Sequence, residues 1–244
     1  MKNKIQQLEK FQAEARATYL PSVAINTVIF GFDGLSLNVL LMGFAESPLY
    51  SLPGGYVMKE EDLEAASRRV LTERTGLENV YLEQFFTAGN VDRLSEAVVE
   101  KEFKKLGWKP ESPSWFSERK VSVCYYALVD PQKTVPQKLD FFVRDFIWRP
   151  VSNLPALMYD HSLIIEKAVQ RLQWDMDRKV ISSNLMNETF TMNELQTLYE
   201  AVYQKQFTRT NFHRKMLQSD FLERLEKKYE GKSHKAPYLY RFKK

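Results

Sequence analysis

The sequence of 244 residues contains a single cysteine, Cys124, and no long apolar run. One cysteine excludes both a disulfide framework within the chain and a metal site built from several cysteine ligands. We predict that Cys124, which lies in an apolar stretch, is a buried core thiol in a protein of a reducing compartment. No apolar run approaches the ~20 residues that a membrane-spanning helix needs, and residues 1–20 lack an apolar block. We therefore expect a cytoplasmic protein that makes no membrane contact.

Positive charge is concentrated near the C-terminus. Residues 190–244 contain twelve Lys and Arg against six Asp and Glu, a net charge of +6, whereas the whole chain carries a formal +4. Residues 1–189 therefore carry a net charge of −2. A basic segment on a near-neutral body suits a polyanionic partner, although solvated basic tails are also common. The chain is 44% apolar and 27% charged, which is enough for one large or two smaller globular domains.

Runs of β-branched and aromatic residues predict the strands. Residues 22–32 and 37–44 flank Asp33 and Gly34, which supply a tight turn. Further strands are predicted at residues 79–89, 120–129 and 141–151. A short amphipathic helix is predicted before Pro21, and a second helix opens near Asp160. Strands interrupted by one helix and closed by another predict an α/β/α sandwich with a mixed sheet.

The stretch LPGGYVMKEEDLEAASRRVLTERTGL, residues 52–77, leads from a glycine turn into an amphipathic helix. It resembles a Nudix box, in which a glycine is followed six positions later by a glutamate, then an arginine, a cluster of three glutamates and a closing glycine. The residues that match this pattern are Gly55, Glu61, Arg69, Glu73 and Gly76.

Two positions of the glutamate cluster are lost. Nudix hydrolases hold magnesium with clustered carboxylates, because this hard ion prefers oxygen ligands and must bridge a diphosphate. Val70 offers no lone pair, and Arg74 adds a positive charge where a cation should bind. Two unit charges about 4 Å apart repel by roughly 4 kcal/mol at an effective dielectric near 20. We predict a vestigial box without catalytic residues, metal or cofactor, in which Glu61, Arg69 and Glu73 hold loop and helix together by ion pairing.

An insertion at about residues 94–117 interrupts the strand pattern. Its first part has helical periodicity, and Trp108, Trp115 and Phe116 follow. A hydrophobic insertion of this kind forms either a lid or an oligomer contact, and we favour the contact.

The C-terminal segment has the outline of a winged helix-turn-helix. Thr191 and Glu194 form a capping box that opens one helix, and a second helix begins near Thr208. A third short helix is predicted at residues 221–225, followed by a basic loop and a strand at residues 238–242. The predicted organisation is an N-terminal helix at 1–20, a Nudix-like effector-binding domain at 21–173, a linker at 174–189 and the winged helix-turn-helix at 190–244.

The degenerate box combined with TMNELQTLYEAVY, RTNFHRKML and KAPYLYRF resembles the Nudix-related transcriptional regulators of bacteria. Within that family GGYVMKEED, RRVLTERTGLENVYLEQ and LPALMYDH are most similar to a Bacteroidetes sugar-responsive branch that includes arabinose regulators. The insertion departs from this branch. The resemblance implies a catalytically degenerate effector domain that senses a small molecule, a sugar such as L-arabinose. It also implies a homodimer that binds double-stranded operator DNA at two half-sites.

The same resemblance implies two sites. Thr208 would cap the recognition helix, and the wing would contact phosphates, while Phe212, Leu217, Leu239 and Phe242 would lie in the core. The DNA-binding residues would be Thr208, Arg209, Thr210, Asn211, His213, Arg214, Lys215, Lys232, Ser233, His234 and Lys235. The effector-binding residues would be Phe86, Asp92, Arg93, Tyr159, Asp160 and His161. The last three residues also fit an ordinary helix start.

Two other functions stay open at this point. The chain could be a magnesium-dependent Nudix hydrolase of a nucleoside diphosphate derivative, such as ADP-ribose or a nucleoside diphosphate sugar. It could also be a ligand-binding protein whose tail serves only for dimerisation.

Overall fold

The computed structural model describes residues 2–44, 47–93, 97–105, 107–109, 114–116, 118–132, 134, 143–176, 184–227 and 236–243. The helices are α1 (Lys2–Thr18), α2 (Leu63–Thr75), α3 (Ala97–Lys105), α4 (His161–Met176), α5 (Met192–Tyr203) and α6 (Arg209–Gln218). The strands are β1 (Tyr19–Phe32), β2 (Leu37–Phe44), β3 (Tyr50–Ser51), β4 (Gly54–Met58), β5 (Tyr81–Ala88), β6 (Val121–Val129), β7 (Val143–Pro150), β8 (Phe190–Thr191), β9 (Leu222–Lys227) and β10 (Tyr238–Phe242).

The N-terminal domain is built on a mixed sheet. Its described strands run in the order β3, β2, β1, β6 and β5, while β4 pairs with β1 and β7 with β2. β1 and β6 are parallel from Val23 opposite Val121 to Gly31 opposite Val129. The predicted hairpin joins β1 to β2, where the Asp33 carboxylate accepts the backbone N–H groups of Leu35 and Ser36.

Alternation along the central strands divides the core into two layers. Ile25 and Ile29 of β1 face the side covered by α2, whereas Val28 and Phe30 face the side covered by α4. Successive side chains of a strand point to opposite faces, so a strand buried on both sides is apolar throughout. The predicted α/β/α sandwich with a mixed sheet is confirmed.

Cys124 belongs to the α4 layer and is fully buried, as predicted. Burial raises the pKa of its thiol to about 12. Of the helices in the described ranges, none combines the length and apolar character that a membrane span requires.

Helix α1 and the described part of the insertion pack on each other and on the body. Leu8 of α1 contacts a buried cluster with Phe103, Trp108 and Met158. Trp115 is also fully buried. These side chains are covered by their own chain and are not exposed on its surface. The choice between a lid and an oligomer contact stays a prediction.

The C-terminal domain consists of α5 and α6 with a small antiparallel sheet in the order β8, β10, β9. The predicted capping box is present, since Thr191 Oγ1 accepts the Glu194 N–H and the Glu194 carboxylate accepts the Thr191 N–H. The predicted third helix is wrong: residues 222–227 form β9, because β10 supplies a strand partner and Arg241 pairs with Glu223 across it. Local periodicity over five residues cannot reveal a partner that lies later in the chain.

The two domains share one apolar core. Leu195, Leu198 and Val202 of α5 join the same cluster as the α4 layer of the sheet. The Tyr203 hydroxyl donates to the Gln173 carbonyl at 3.0 Å, and Gln173 Nε2 donates to the carbonyl of Val202 at 2.9 Å. Helix α4 extends to Met176, three residues into the segment predicted as a linker, and residues 177–183 lie outside the described ranges.

A tight contact in the box gives a stability prediction. A Cβ added at Gly55 would lie 2.9 Å from Cγ2 of Val70, a short β-branched side chain that cannot swing away. We expect Gly55→Ala to lower the free energy of unfolding by about 1–3 kcal/mol in urea titrations. Gly89→Ala is the matched control, because its nearest neighbour atom lies at 3.7 Å. The double variant with Gly55→Ala and Val70→Ala should lose less unfolding free energy than the two single variants lose together. Equal losses of unfolding free energy in Gly55→Ala and Gly89→Ala would contradict the tight contact at Gly55.

Candidate functional site

An open cavity lies between the end of the sheet, α1 and the insertion. The empty space inside it, which includes part of the open solvent at its mouth, is about 980 Å³. Its charged and aromatic lining residues are Arg74, Arg93, Lys120, Phe11, Tyr56, Phe103, Phe116 and Tyr159, and its other polar ones are Asn26, Ser51, Ser122 and His161. None of the described lining residues is Asp or Glu. The cavity wall is therefore cationic and aromatic.

The carboxylates of the box pair with Arg69. Arg69 Nε donates to Glu61 Oε2 at 2.9 Å, and Nη1 donates to Glu73 Oε2 at 2.9 Å. A further bond joins Nη2 to the Tyr56 carbonyl at 2.8 Å. The bonds from Arg69, with the N–H of Met58, hold the pKa of Glu61 below its usual range. The predicted ion pairing of loop and helix is confirmed.

The two substituted box positions have different environments. Val70 is buried against Gly55 and packs with Ile25 and Val57. Arg74 faces the cavity, and its Nε donates to the Gly54 carbonyl at 2.9 Å. Burial lowers the pKa of Arg74, but a guanidinium keeps its charge at neutral pH. These residues do not fit a magnesium cage, because an apolar side chain and a cation stand where carboxylates are needed.

Lys120 adds a second cation to the wall. Its Nζ donates to the Trp115 carbonyl at 2.8 Å and lies 4.5 Å from the centre of the Trp115 ring. The ring of Tyr56 lies 5.7 Å away. Burial lowers the pKa of Lys120 to about 8, so the ammonium form still predominates at neutral pH. The aromatic faces stabilise this partly desolvated charge.

Arg93 is fixed by a buried ion pair. Its Nε and Nη2 each lie 3.0 Å from one carboxylate oxygen of Asp160, and Nη1 donates to the hydroxyl of Ser122 at 2.8 Å. Such a two-pronged pair fixes the guanidinium plane and offsets its charge. Asp160 therefore acts on the cavity through Arg93.

Tyr159 and His161 lie at the start of α4 and line the cavity. Tyr159 has a φ of 53°, a left-handed conformation that a bulky residue rarely adopts, and burial raises its pKa. His161 Nδ1 accepts the Leu52 N–H at 3.0 Å. Burial lowers the pKa of His161 to about 4, so the ring is neutral. The helix start and the cavity wall are thus the same segment.

The cavity contains some of the predicted effector residues and omits others. Arg93, Tyr159 and His161 line it, and Asp160 supports Arg93. Phe86 is not among the residues that line this cavity; it follows a register shift after Gln84 and packs against the core cluster under α4, and its role in effector binding stays a prediction. The side chain of Asp92 lies outside the described residues.

Sequence reasoning missed several wall residues. Phe11, Phe116 and Lys120 come from three segments far apart in the chain, and no local pattern joins them. The one available signal was Lys120, which directly precedes the apolar strand β6. Lysine is rarely buried unless its charge is paired, so a lysine at such a buried position marks a possible site.

Helix α6 presents most of the predicted DNA-binding residues to solvent. The exposed ones are Thr208, Arg209, Thr210, Asn211, Arg214 and Lys215. Arg214 Nη2 donates to Asn211 Oδ1 at 3.0 Å. His213 is only half exposed, and burial lowers its pKa. Lys232, Ser233, His234 and Lys235 lie outside the described residues.

Two expectations for this helix are corrected. Thr208 occupies the N-cap position, but its side chain makes no capping hydrogen bond. Leu217 is 58% exposed, because the inward face of α6 is filled by Phe212 and Met216. The core placement of Phe242 is confirmed by its packing on Phe190.

Comparisons with known proteins bear on both domains. Residues 182–242 match the model of the NrtR DNA-binding winged helix domain. The ADPR-responsive transcriptional repressor NtrR of Acinetobacter baylyi is 28% identical over 228 residues, 91% of this chain and 82% of that protein. NrtR of Shewanella oneidensis is 29% identical in two crystal structures, the second of which is a complex with a 27mer DNA. Their TM-scores are 0.63 and 0.64, and they cover 91% of this chain and 94% and 93% of theirs.

The chain is similar over most of its length to transcriptional regulators of the NrtR type, and its C-terminal part matches their winged helix domain. Its two parts are a Nudix-like domain and a C-terminal winged helix domain, as predicted. The narrower likeness of this regulator to a Bacteroidetes branch stays a prediction.

The neutral His161 ring gives a pH prediction for the regulator. Its folded pKa of about 4 lies below the ordinary 6.5, so between these values the unfolded chain binds the proton first. The contribution of His161 to stability is complete above pH 6.5 and is lost as the pH falls toward 4. We expect His161→Asn, whose amide oxygen can replace the Nδ1 acceptor, to remove about 2 kcal/mol of the loss between pH 7 and pH 5. Urea titrations of both proteins at pH 7 and pH 5 would measure the loss in the free energy of unfolding. An equal loss in the wild type and in His161→Asn would refute the prediction.

Proposed function

We propose that this regulator binds operator DNA through α6 and responds to ADP-ribose bound in the cavity of its Nudix-like domain. The observation that carries the ligand assignment is the cationic and aromatic wall, on which none of the described residues is acidic. The relative from Acinetobacter baylyi is named as an ADPR-responsive repressor, which supports the same ligand class and a repressing role.

Charge favours a diphosphate over the neutral sugar predicted from the sequence. Arg74 and Lys120 are both desolvated, since burial lowers the pKa of each. A neutral sugar would cover these cations without compensating their charge, which costs free energy. A diphosphate supplies negative charge and acceptor oxygens at once. L-arabinose is therefore replaced by ADP-ribose in this proposal.

The aromatic residues suit the base of such a nucleotide. The rings of Phe11 and Phe116 stack at 5.5 Å between centroids, and Tyr56 lies 6.0 Å from Phe11. Aromatic faces bind planar heterocycles by offset or edge contacts. The wall thus offers a face for adenine beside cations for phosphate.

The box supports ligand binding rather than hydrolysis. Glu61 and Glu73 already compensate Arg69, while Val70 and Arg74 hold the other metal-ligand positions. We therefore assign the Nudix-like domain to sensing, with the magnesium-dependent hydrolase as an outcome that the ligand experiment below detects.

The winged helix domain supports DNA binding by α6. Arg209, Arg214 and Lys215 are exposed on one short helix, and guanidinium and ammonium groups bind phosphates and guanine edges. We propose that the regulator acts as a homodimer, because two copies of a recognition helix read two half-sites about one DNA turn apart.

Operator binding tests the role of α6. We expect the protein to shift a fragment of its own upstream region, and the affinity to fall steeply with salt because bound cations release counterions from DNA. Arg209→Ala and Arg214→Ala should each weaken binding by roughly tenfold. Arg68→Ala, an exposed arginine on the outer face of α2, is the control and should leave affinity unchanged. Binding that is equal in all four proteins would point to a tail that serves only dimerisation.

The effector is tested on the same operator fragment. We expect ADP-ribose to change the operator Kd by at least roughly fivefold, the scale of a modest allosteric coupling, whereas L-arabinose should not. Lys120→Gln should reduce that response, and Lys101→Gln, exposed on α3, should preserve it. Chromatography of the ADP-ribose after incubation with magnesium supplies the enzyme test. Release of AMP would establish the hydrolase instead, and no response to ADP-ribose would remove this ligand.

A further inference from the structure

We infer that the Arg74 guanidinium takes the place of the magnesium ion of a Nudix enzyme and binds the ligand's diphosphate directly, with no metal between them. This inference rests on the proposed ligand class and extends it to a binding residue and to a metal requirement.

The helical register puts Arg74 on the cavity side of α2. Val70 and Arg74 are four residues apart, so they lie on one face of the helix. That face lies against β4, since Val70 would meet a Cβ at Gly55 and Arg74 donates to the Gly54 carbonyl. Arg69 and Glu73 occupy the neighbouring face and pair with each other. The helix thus carries the Arg69–Glu73 ion pair on one face and the cavity-lining Arg74 on the next.

The environment of Arg74 suits phosphate binding. Its Nε is held by a backbone carbonyl at 2.9 Å, which fixes the plane of the guanidinium at the cavity wall. The aromatic ring of Tyr56 lies in the same wall. A planar guanidinium of fixed orientation binds phosphate oxygens by parallel N–H bonds, and such bonds strengthen where water is excluded.

Among the three lining arginine and lysine side chains, Arg74 is the one at a metal-ligand position of the box. Arg93 is offset by the carboxylate of Asp160. Lys120 donates to two backbone carbonyls and has the Glu118 carboxylate 3.9 Å away. Arg74 also stands in the box register where the family places a metal ligand, next to the position that a bridging ion would occupy.

The same position excludes a magnesium ion. A unit charge on Arg74 repels a divalent cation, and the neighbouring box carboxylates already compensate Arg69. Within the described part of the chain, no group of three His, Cys, Asp or Glu side chains is arranged to hold a metal. A diphosphate bound by a guanidinium lacks the metal that would polarise it and activate water. The ligand would therefore stay intact, as a signal must.

Equilibrium binding with and without EDTA tests this assignment in the full-length protein. The probes are ADP-ribose, inorganic pyrophosphate and adenosine, measured by calorimetry. We expect wild-type affinity for ADP-ribose and pyrophosphate to be equal in EDTA and in magnesium. Arg74→Gln should weaken both by at least roughly tenfold in EDTA while adenosine affinity stays unchanged. Arg68→Gln, on the outer face of the same helix, should match the wild type for all three probes.

Arg74→Glu gives a second, opposite readout, because it restores an acidic residue at the box position. Its ADP-ribose affinity should be lost in EDTA and should recover in part with magnesium.

A wild-type requirement for magnesium, or Arg74→Gln behaving like Arg68→Gln, would overturn the inference. Loss of adenosine binding in Arg74→Gln would also overturn it, since that result shows a structural role. If ADP-ribose fails but pyrophosphate binds in EDTA through Arg74, the residue assignment stands and the proposed effector falls. If neither probe binds in EDTA, both fall.

Discussion

The bonds that Arg69 makes to Glu61, Glu73 and the Tyr56 carbonyl fix the geometry on which the cavity depends. One guanidinium ties strand β4, the following loop and helix α2 into a single unit. With that unit fixed, Val70 is held against Gly55 and Arg74 against Gly54. The box has thus kept the interactions that build the fold, while the residues that would hold a metal have changed. Structural and catalytic roles of one motif separate cleanly because they lie on different faces of one helix.

Much of the architecture was predictable because its signals are local. The alternating apolar strands, the Asp33 turn, the Thr191 capping box and the glycine at the end of α2 each act within a few residues. Strand β9 was not predictable in this way, because it forms a strand by pairing with β10, which lies later in the chain. The exposure of Leu217 was missed for a related reason: helical spacing does not say how wide the buried stripe is.

The cavity was only partly predictable. Arg93, Tyr159 and His161 follow from the family resemblance, and Arg74 from its position in the box. Phe11, Phe116 and Lys120 reach the wall through tertiary packing of α1 and the insertion, which no spacing in the sequence encodes. The cations among these residues changed the expected ligand from a neutral sugar to a diphosphate. A site built from distant segments reveals its charge only when the segments are assembled.

Helix α4 contacts the cavity at its first residue and the winged helix domain at its last turn. Its first residue, His161, lines the cavity and holds the backbone of Leu52, while its last turn is bonded to α5 through Gln173 and Met176. An unbroken helix of 16 residues spans about 24 Å and resists bending. A shift of the first turn of such a helix also moves its last turn, so the cavity and the contacts with α5 are mechanically joined.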